Sequence, residues 1–198
     1  MTAFILAGGM STRMGTDKAF VQLNGTMLID LAMKRLKPLD CDIFIVGPRE
    51  KFNAFGRVIE DRYAEAGPLA GIHRALERSD SEWCVVTAVD TPLLPTTFYE
   101  RLLAVAREKN VDAVLPKTAE GYQPLCAVYR KSLLKIVEDA LKAGERKIDR
   151  VVMSGPHAIF DCVKEGFAAE LFLNVNTPED RDLAKKRLED PRARAAKR

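Results

Sequence analysis

The chain of 198 residues has only four cysteines, two histidines and one tryptophan. Cys41, Cys84, Cys126 and Cys162 stand far apart, with no CxxC pair among them. Structural zinc sites and disulfide scaffolds need closer groupings, so both are excluded and reduced, mostly buried thiols in a cytoplasmic protein are expected. His73 and His157 have no partner at metal-ligand spacing and are assigned no chemistry. No apolar run approaches the roughly 18 residues of a membrane span. The opening MTAFILAGGM lacks the basic segment of a signal peptide. Linkers rich in Gly, Ser or Pro, internal repeats and low-complexity segments are also missing.

What remains is the composition of an ordinary globule, 47% hydrophobic and 30% charged. The formal charge of +3 sits in residues 190–198 (DPRARAAKR), and the rest of the chain balances. A single domain over 1–189 with a flexible basic tail over 190–198 is expected. A neutral domain offers no electrostatic footprint for nucleic acid, and neither nucleic acid nor membrane is an expected partner.

Short apolar runs alternate with amphipathic ones. Strands are expected at Ala3–Leu6, Asp42–Val46, Val58–Ile59, Trp83–Ala88, Ala113–Pro116, Leu125–Tyr129, His157–Asp161 and Phe172–Asn174. Helices are expected at Leu28–Lys37, with Thr26 as its cap, and at Leu69–Leu76, Thr97–Asn110 and Leu133–Ala143. A last helix has Thr177 as cap, Pro178 in its first turn, and Glu179 and Asp180 at the positive end of its dipole. Alternation with nearly continuous apolar strands predicts an α/β fold: a mostly parallel central sheet in a three-layer, Rossmann-like domain. Such sheets bind ligands beyond the carboxyl ends of their strands, here after Leu6, Val46, Ala88, Pro116 and Asn174.

Several of those loops carry unusual chemistry. In Leu6-Ala7-Gly8-Gly9-Met10-Ser11-Thr12-Arg13-Met14-Gly15-Thr16-Asp17-Lys18, glycines directly after a strand let backbone amides approach an anion. Ser11, Thr12, Arg13 and Lys18 add donors, which suits a polyphosphate better than a solvated turn. The pattern is neither a P-loop nor the dinucleotide fingerprint. Asp90, two residues past an apolar strand and ahead of Thr91-Pro92, can hold Mg²⁺ against phosphates or simply open a turn. Val58-Ile59-Glu60-Asp61, followed by Gly67-Pro68-Leu69-Ala70-Gly71-Ile72, offers glycines and a carboxylate to a base; alone, it is a turn into a helix. Asn174 and Asn176 are amides at strand spacing on one side. Gln123 lies in a loop beside Tyr122, equally readable as part of a turn.

Together these residues resemble the molybdenum cofactor guanylyltransferase family. The match comprises LAGG-x-S-x-R-M-G-x-D-K at Leu6–Lys18, VIED at Val58–Asp61, GPLAGI at Gly67–Ile72 and DTP at Asp90–Pro92. It continues with YQPLCAVY at Tyr122–Tyr129 and NVNTPED at Asn174–Asp180, in order from residue 3 to about 188. The glycine-rich opening is shared with many sugar and alcohol nucleotidyltransferases. The resemblance implies a nucleotide-diphospho-sugar-transferase-like fold and transfer of GMP from GTP to molybdate-loaded molybdopterin, with release of pyrophosphate. It implies nucleotide contacts at Leu6, Ala7, Gly8, Gly9, Lys18, Asp61, Gly67, Pro68, Leu69 and Asp90, with Mg²⁺ as cofactor on Asp90. Arg13, Lys18 and Asp90 are the expected catalytic residues; Gln123, Asn174 and Asn176 are placed towards the pterin. Transient contacts with cofactor-delivering and cofactor-receiving proteins follow from the same resemblance. Family members often carry an Asn after the second strand, whereas this chain reads Phe44-Ile45-Val46-Gly47-Pro48-Arg49, so a backbone group near Gly47 is expected to substitute. The rival readings are a CTP-dependent or other small-molecule phosphate nucleotidyltransferase, and a GTP-binding protein without turnover.

Overall fold

The computed structural model describes residues 1–8, 17–60 and 67–189. The expectations placed on Gly9, Arg13, Asp61 and the 190–198 tail lie outside the described residues. The elements in chain order are β1 (Thr2–Leu6), β2 (Gln22–Leu23), β3 (Thr26–Met27), α1 (Leu28–Leu36), β4 (Asp42–Val46), α2 (Arg49–Phe52), β5 (Arg57–Ile59), α3 (Pro68–Arg78) and β6 (Trp83–Ala88). They continue with α4 (Thr96–Glu108), β7 (Ala113–Thr118), β8 (Gly121–Tyr122), β9 (Cys126–Arg130), α5 (Leu134–Lys142), α6 (Ile148–Val152), β10 (His157–Asp161) and α7 (Pro178–Glu189). Among the described residues, no helix is long and apolar enough to cross a membrane.

The main sheet runs β10-β7-β9-β6-β1-β4-β5, with β8 paired to β7. Pairings β1–β4, β1–β6, β4–β5 and β7–β10 are parallel; β9 runs antiparallel to both neighbours. Strand alternation sends side chains to two apolar layers. Ala3, Ile5, Ile45, Val85 and Val128 join Leu28, Ala32 and Leu36 of α1 and Phe98 and Leu102 of α4 on one face. Phe4, Phe44, Val46, Val86 and Ala127 join Leu69, Ile72 and Leu76 of α3 and Val137 and Leu141 of α5 on the other. Both faces are therefore covered, which is why the central strands read as continuous apolar runs.

Chain order places the binding crevice. From β1 the chain passes to β4 and β5 on one side, then returns through α3 to β6 on the other. The carboxyl ends of β1 and β6 thus flank a reversal of strand order, where connecting loops diverge to opposite faces. The register sets Leu6 beside Ala88, so both loops leave the sheet at one level.

Two expectations need correction. Thr26 does not cap α1: it pairs with Leu23 in a two-stranded hairpin, and Met27 stands at the cap without a side-chain bond. The hairpin turns on Asn24 and Gly25, with φ of 50° and 76°, the left-handed pair that Asn-Gly supplies at least cost. Phe172–Asn174 is not a strand. Residues Ala169–Phe172 form a 3₁₀ turn that buries Phe172 against Phe98, centroid to centroid 5.3 Å, and Asn174 emerges exposed.

Candidate active site

The residues that converge come from three distant stretches of chain. Asp17 caps a 3₁₀ turn over Lys18–Phe20 by accepting the Ala19 amide at 3.2 Å, and its carboxylate meets Lys51 at 2.8 Å. That anchoring sends the Lys18 side chain inward. Its ammonium lies 3.1 Å from Asp90 Oδ2 and also donates to Asn176 Oδ1. Asp90 and Asn176 thus present two hard oxygens to one cation.

The Asp90 turn is fixed from several sides. Val89 N donates to the Leu6 carbonyl at 3.1 Å, Val175 N donates to the Asp90 carbonyl at 2.9 Å, and Thr91 Oγ1 donates to the Ala88 carbonyl at 3.0 Å. The Val175 bond also seats Asn176. Beyond it, Asp180 Oδ2 accepts from the amides of Asn176 and Thr177 at 3.0 and 2.9 Å, while Thr177 Oγ1 accepts the Asp180 amide at 3.1 Å. This is a reciprocal capping box, and it is what ties α7 to the site. Next to Thr91, burial raises the Cys126 thiol above its ordinary pKa, so a thiolate nucleophile is not available there.

Of the glycine-rich segment, the described residues are those at its two ends, through Gly8 and from Asp17. The amides of Ala7 and Gly8 both donate to the Val46 carbonyl, at 3.0 and 3.1 Å, and are engaged within the sheet. Gly47 N likewise donates to the Ile59 carbonyl at 3.0 Å. A Cβ on Gly47 would fall 2.9 Å from Phe52 Cε2 and 3.4 Å from the Gly8 nitrogen. A glycine at this position, where the resemblance leads an Asn to be expected, is therefore accounted for by Phe52, which fills the space a side chain needs.

The GPLAGI segment has a structural explanation. Gly67 takes φ 67° at the start of α3, Pro68 occupies the first turn, and Leu69 is fully buried in the core. Gly71 lets α3 approach β1: a Cβ there would lie 3.1 Å from Leu6 Cδ2. Gly67 and Pro68 are exposed beside the crevice, whereas the Leu69 side chain is not presented to a ligand. Gln123 donates through Nε2 to Thr118 Oγ1 at 3.3 Å, within its own loop, and the Lys117 ammonium lies 5.5 Å from the centre of the Tyr122 ring. Asn174 and Asn176 part company. Asn174 lines a cavity of about 360 Å³ with Glu120, Glu170, Phe172, Leu183 and Arg187, while Asn176 turns to Lys18.

Sequence reasoning missed the support behind the turn. Arg35, Thr87, Thr91 and Tyr99 are all buried there. The available signal was Arg35 itself, a cation on the same stripe as Leu28, Ala32 and Leu36.

A lysine, a carboxylate and an amide gathered at the reversal point suit a nucleotide's phosphates. The family model for the MobA-like NTP transferase domain matches residues 3–158. The chain belongs to that family. Among MobA-like relatives, the molybdenum cofactor guanylyltransferase of Shewanella baltica (strain OS185) is 38% identical over 186 residues, covering 90% of this chain and 92% of its own. The protein of that name from Vibrio atlanticus is 33% identical over 180 residues, covering 89% and 91%. A crystal structure of molybdopterin-guanine dinucleotide biosynthesis protein A from Archaeoglobus fulgidus superimposes with a TM-score of 0.81 at 30% identity, covering 94% of this chain and 97% of that one. The MobA-like fold extends further: 2-C-methyl-D-erythritol 4-phosphate cytidylyltransferase from Thermus thermophilus gives a TM-score of 0.69 at 16% identity, with 94% and 98% covered. The fold is thus that of nucleotide-diphospho-sugar transferases, as the motifs implied.

Proposed function

We propose that the protein transfers GMP from GTP to the phosphate of molybdate-loaded molybdopterin, giving the guanine dinucleotide cofactor and pyrophosphate. The observation that carries this reading is the meeting of Lys18, Asp90 and Asn176 at the carboxyl ends of β1 and β6. The names of its 33–38% identical relatives supply the substrates.

In the reaction, an oxygen of the pterin phosphate forms a bond to the α-phosphorus of GTP. The bond from that phosphorus to the β-bridging oxygen breaks, and its electron pair leaves with pyrophosphate. The pterin phosphate is already an anion at neutral pH, so no general base is required. The difficulty is bringing one anion onto another, which calls for positioning and positive charge. Lys18 supplies charge at the phosphoryl groups, and Arg13, from the glycine-rich segment, is assigned to the departing pyrophosphate.

Mg²⁺ is the expected cofactor, and the donor set fits it. Asp90 Oδ2 and Asn176 Oδ1 already share one cation, the Lys18 ammonium. Mg²⁺ prefers such oxygens and typically takes one or two carboxylates together with substrate phosphates. When bound, it neutralises developing charge on the phosphates as a Lewis acid. Asp90 and Asn176 would hold the metal, and Lys18, now paired with both, would serve the nucleotide's phosphates beside it. On this reading Asn176 serves the phosphates, and Asn174 keeps its assignment to the pterin side.

Two measurements test the reading. With Mg²⁺ present, GTP should raise the melting temperature, since a ligand binding only the folded state at 100 times its Kd adds about 2.7 kcal/mol. A shift with CTP and none with GTP overturns the guanylyl assignment in favour of a cytidylyltransferase. Pyrophosphate release with GTP and molybdopterin is expected at saturation; binding without release would mark a nucleotide binder without turnover.

A further inference from the structure

Behind the Asp90 turn lies a cation that the reaction above does not use. Arg35 on α1 is only 7% exposed. Its Nη1 donates to the Thr91 carbonyl and its Nη2 to Thr87 Oγ1 at 3.2 Å, while Nε–H has no acceptor among the described residues. The Thr87 hydroxyl also accepts from the Tyr99 hydroxyl at 2.6 Å, and Thr96 Oγ1 donates to the Arg35 carbonyl at 2.7 Å.

A guanidinium held by a carbonyl and a hydroxyl, rather than a carboxylate, is an expensive thing to bury. At this place on the apolar stripe of α1, a methionine or leucine would make the simpler core residue. The local chain explains what the cation adds. Thr91 precedes Pro92, which has no amide hydrogen, so the turn lacks one of the donors with which a backbone loop closes on itself. Arg35 provides a donor from outside, directly on the carbonyl that follows Asp90. With the bonds at Val89, at the Asp90 carbonyl and at Thr91 Oγ1, it completes the fixing of the segment that carries the carboxylate.

We propose that Arg35 is a positioning residue for nucleotidyl transfer: it holds the Asp90 turn in the orientation that presents the carboxylate to a divalent cation, without itself touching substrate. The proposal rests on the reading of Asp90 as the metal-binding carboxylate.

The test compares Arg35→Lys with Tyr99→Phe. The lysine keeps the charge but cannot span both acceptors; the phenylalanine removes a buried hydrogen bond to Thr87 and leaves both acceptors of Arg35 in place. Mn²⁺ binding in the presence of GTP is followed by electron paramagnetic resonance, beside thermal melts and kinetics. Misplacement of a catalytic group by about 1 Å can cost up to about 100-fold. Arg35→Lys is accordingly expected to raise the Mn²⁺ half-saturation about tenfold and to lower kcat about 10–100-fold, with KM for GTP within about threefold of wild type. Tyr99→Phe should lower Tm and leave the Mn²⁺ half-saturation unchanged. Equal losses of Tm in the two variants, with no Mn²⁺ shift in either, would make Arg35 merely structural and overturn the proposal. Should Arg35→Lys not fold, Thr87→Val removes the acceptor of Arg35 Nη2 and so loosens the guanidinium itself; a weakened Mn²⁺ site supports the proposal and an unchanged one overturns it. Asp90→Asn separates two failures. Unchanged Mn²⁺ affinity in Asp90→Asn overturns the metal assignment and the proposal with it, whereas weakened affinity there beside an unaltered Arg35→Lys overturns the proposal alone.

Discussion

Asp90 could have been an ordinary turn residue, and one substitution separates that role from metal binding. Asn keeps the size of the side chain and its ability to support a turn while removing the charge. Asp90→Asn should lower kcat by about 100-fold or more, because the departing pyrophosphate is less well neutralised. Nucleotide affinity should suffer less, and steady-state kinetics at saturating GTP read both effects; turnover within about threefold of wild type would remove Asp90 from the metal site. Lys18 is expected to contact phosphoryl groups in ground and transition states alike. A charge-assisted contact of roughly 1.5–3 kcal/mol makes Lys18→Ala about 10–100-fold poorer in kcat/KM. Wild-type kinetics in that variant would return Lys18 to a structural pairing with Asp90. Asp90 stood out as a carboxylate just past an apolar strand, and Lys18 as a donor at the end of the glycine-rich segment. Arg35 did not: its place on the apolar stripe of α1 is a signal, but the sequence shows neither its burial nor the acceptors that hold it.

At the level of elements, the strands were easiest to read. Asp42–Val46, Trp83–Ala88 and His157–Asp161 match the structure end to end; burial on both faces makes Trp83–Ala88 a nearly unbroken apolar run, whereas the edge strand His157–Asp161 alternates buried and exposed positions. The errors arose where apolar residues serve a turn. Phe172 and Leu173 looked like a strand but anchor a 3₁₀ segment through one ring. The Asn24-Gly25 hairpin was overlooked because its strands are two residues each. The crowding at the start of α2 yields its own test. Gly47→Ala forces a methyl against the buried Phe52 ring and should destabilise the fold by about 1–3 kcal/mol, read by chemical denaturation. Adding Phe52→Leu should recover part of the loss; no recovery would show that the strain falls on the Gly8 backbone instead.

For the whole molecule, the decisive feature is that the site is assembled rather than local. Nucleotide binding should slow hydrogen exchange in three separated segments at once, around Lys18, Asp90 and Asn176, and protection confined to the first would show that the C-terminal segment takes no part. Removal of the chain after Leu188 should leave Tm and turnover nearly unchanged. α7 contributes Ala184 to the core, whereas 191–198 has no apolar face to bury. A drop of several degrees would show the tail docked on the domain.

The distance along the chain between Lys18 and Asn176, 158 residues, also has a temporal meaning. At a synthesis rate of about 5–20 residues per second, the lysine leaves the ribosome's catalytic centre roughly 8–30 s before its amide partner has been made. Through that interval the nascent chain can hold the glycine-rich turn and the Asp90 strand, yet it lacks Asn176 and the bond from Val175 that seats it. A growing polypeptide thus cannot hold the completed three-part cluster, and the last stretch of translation is what brings the site into being.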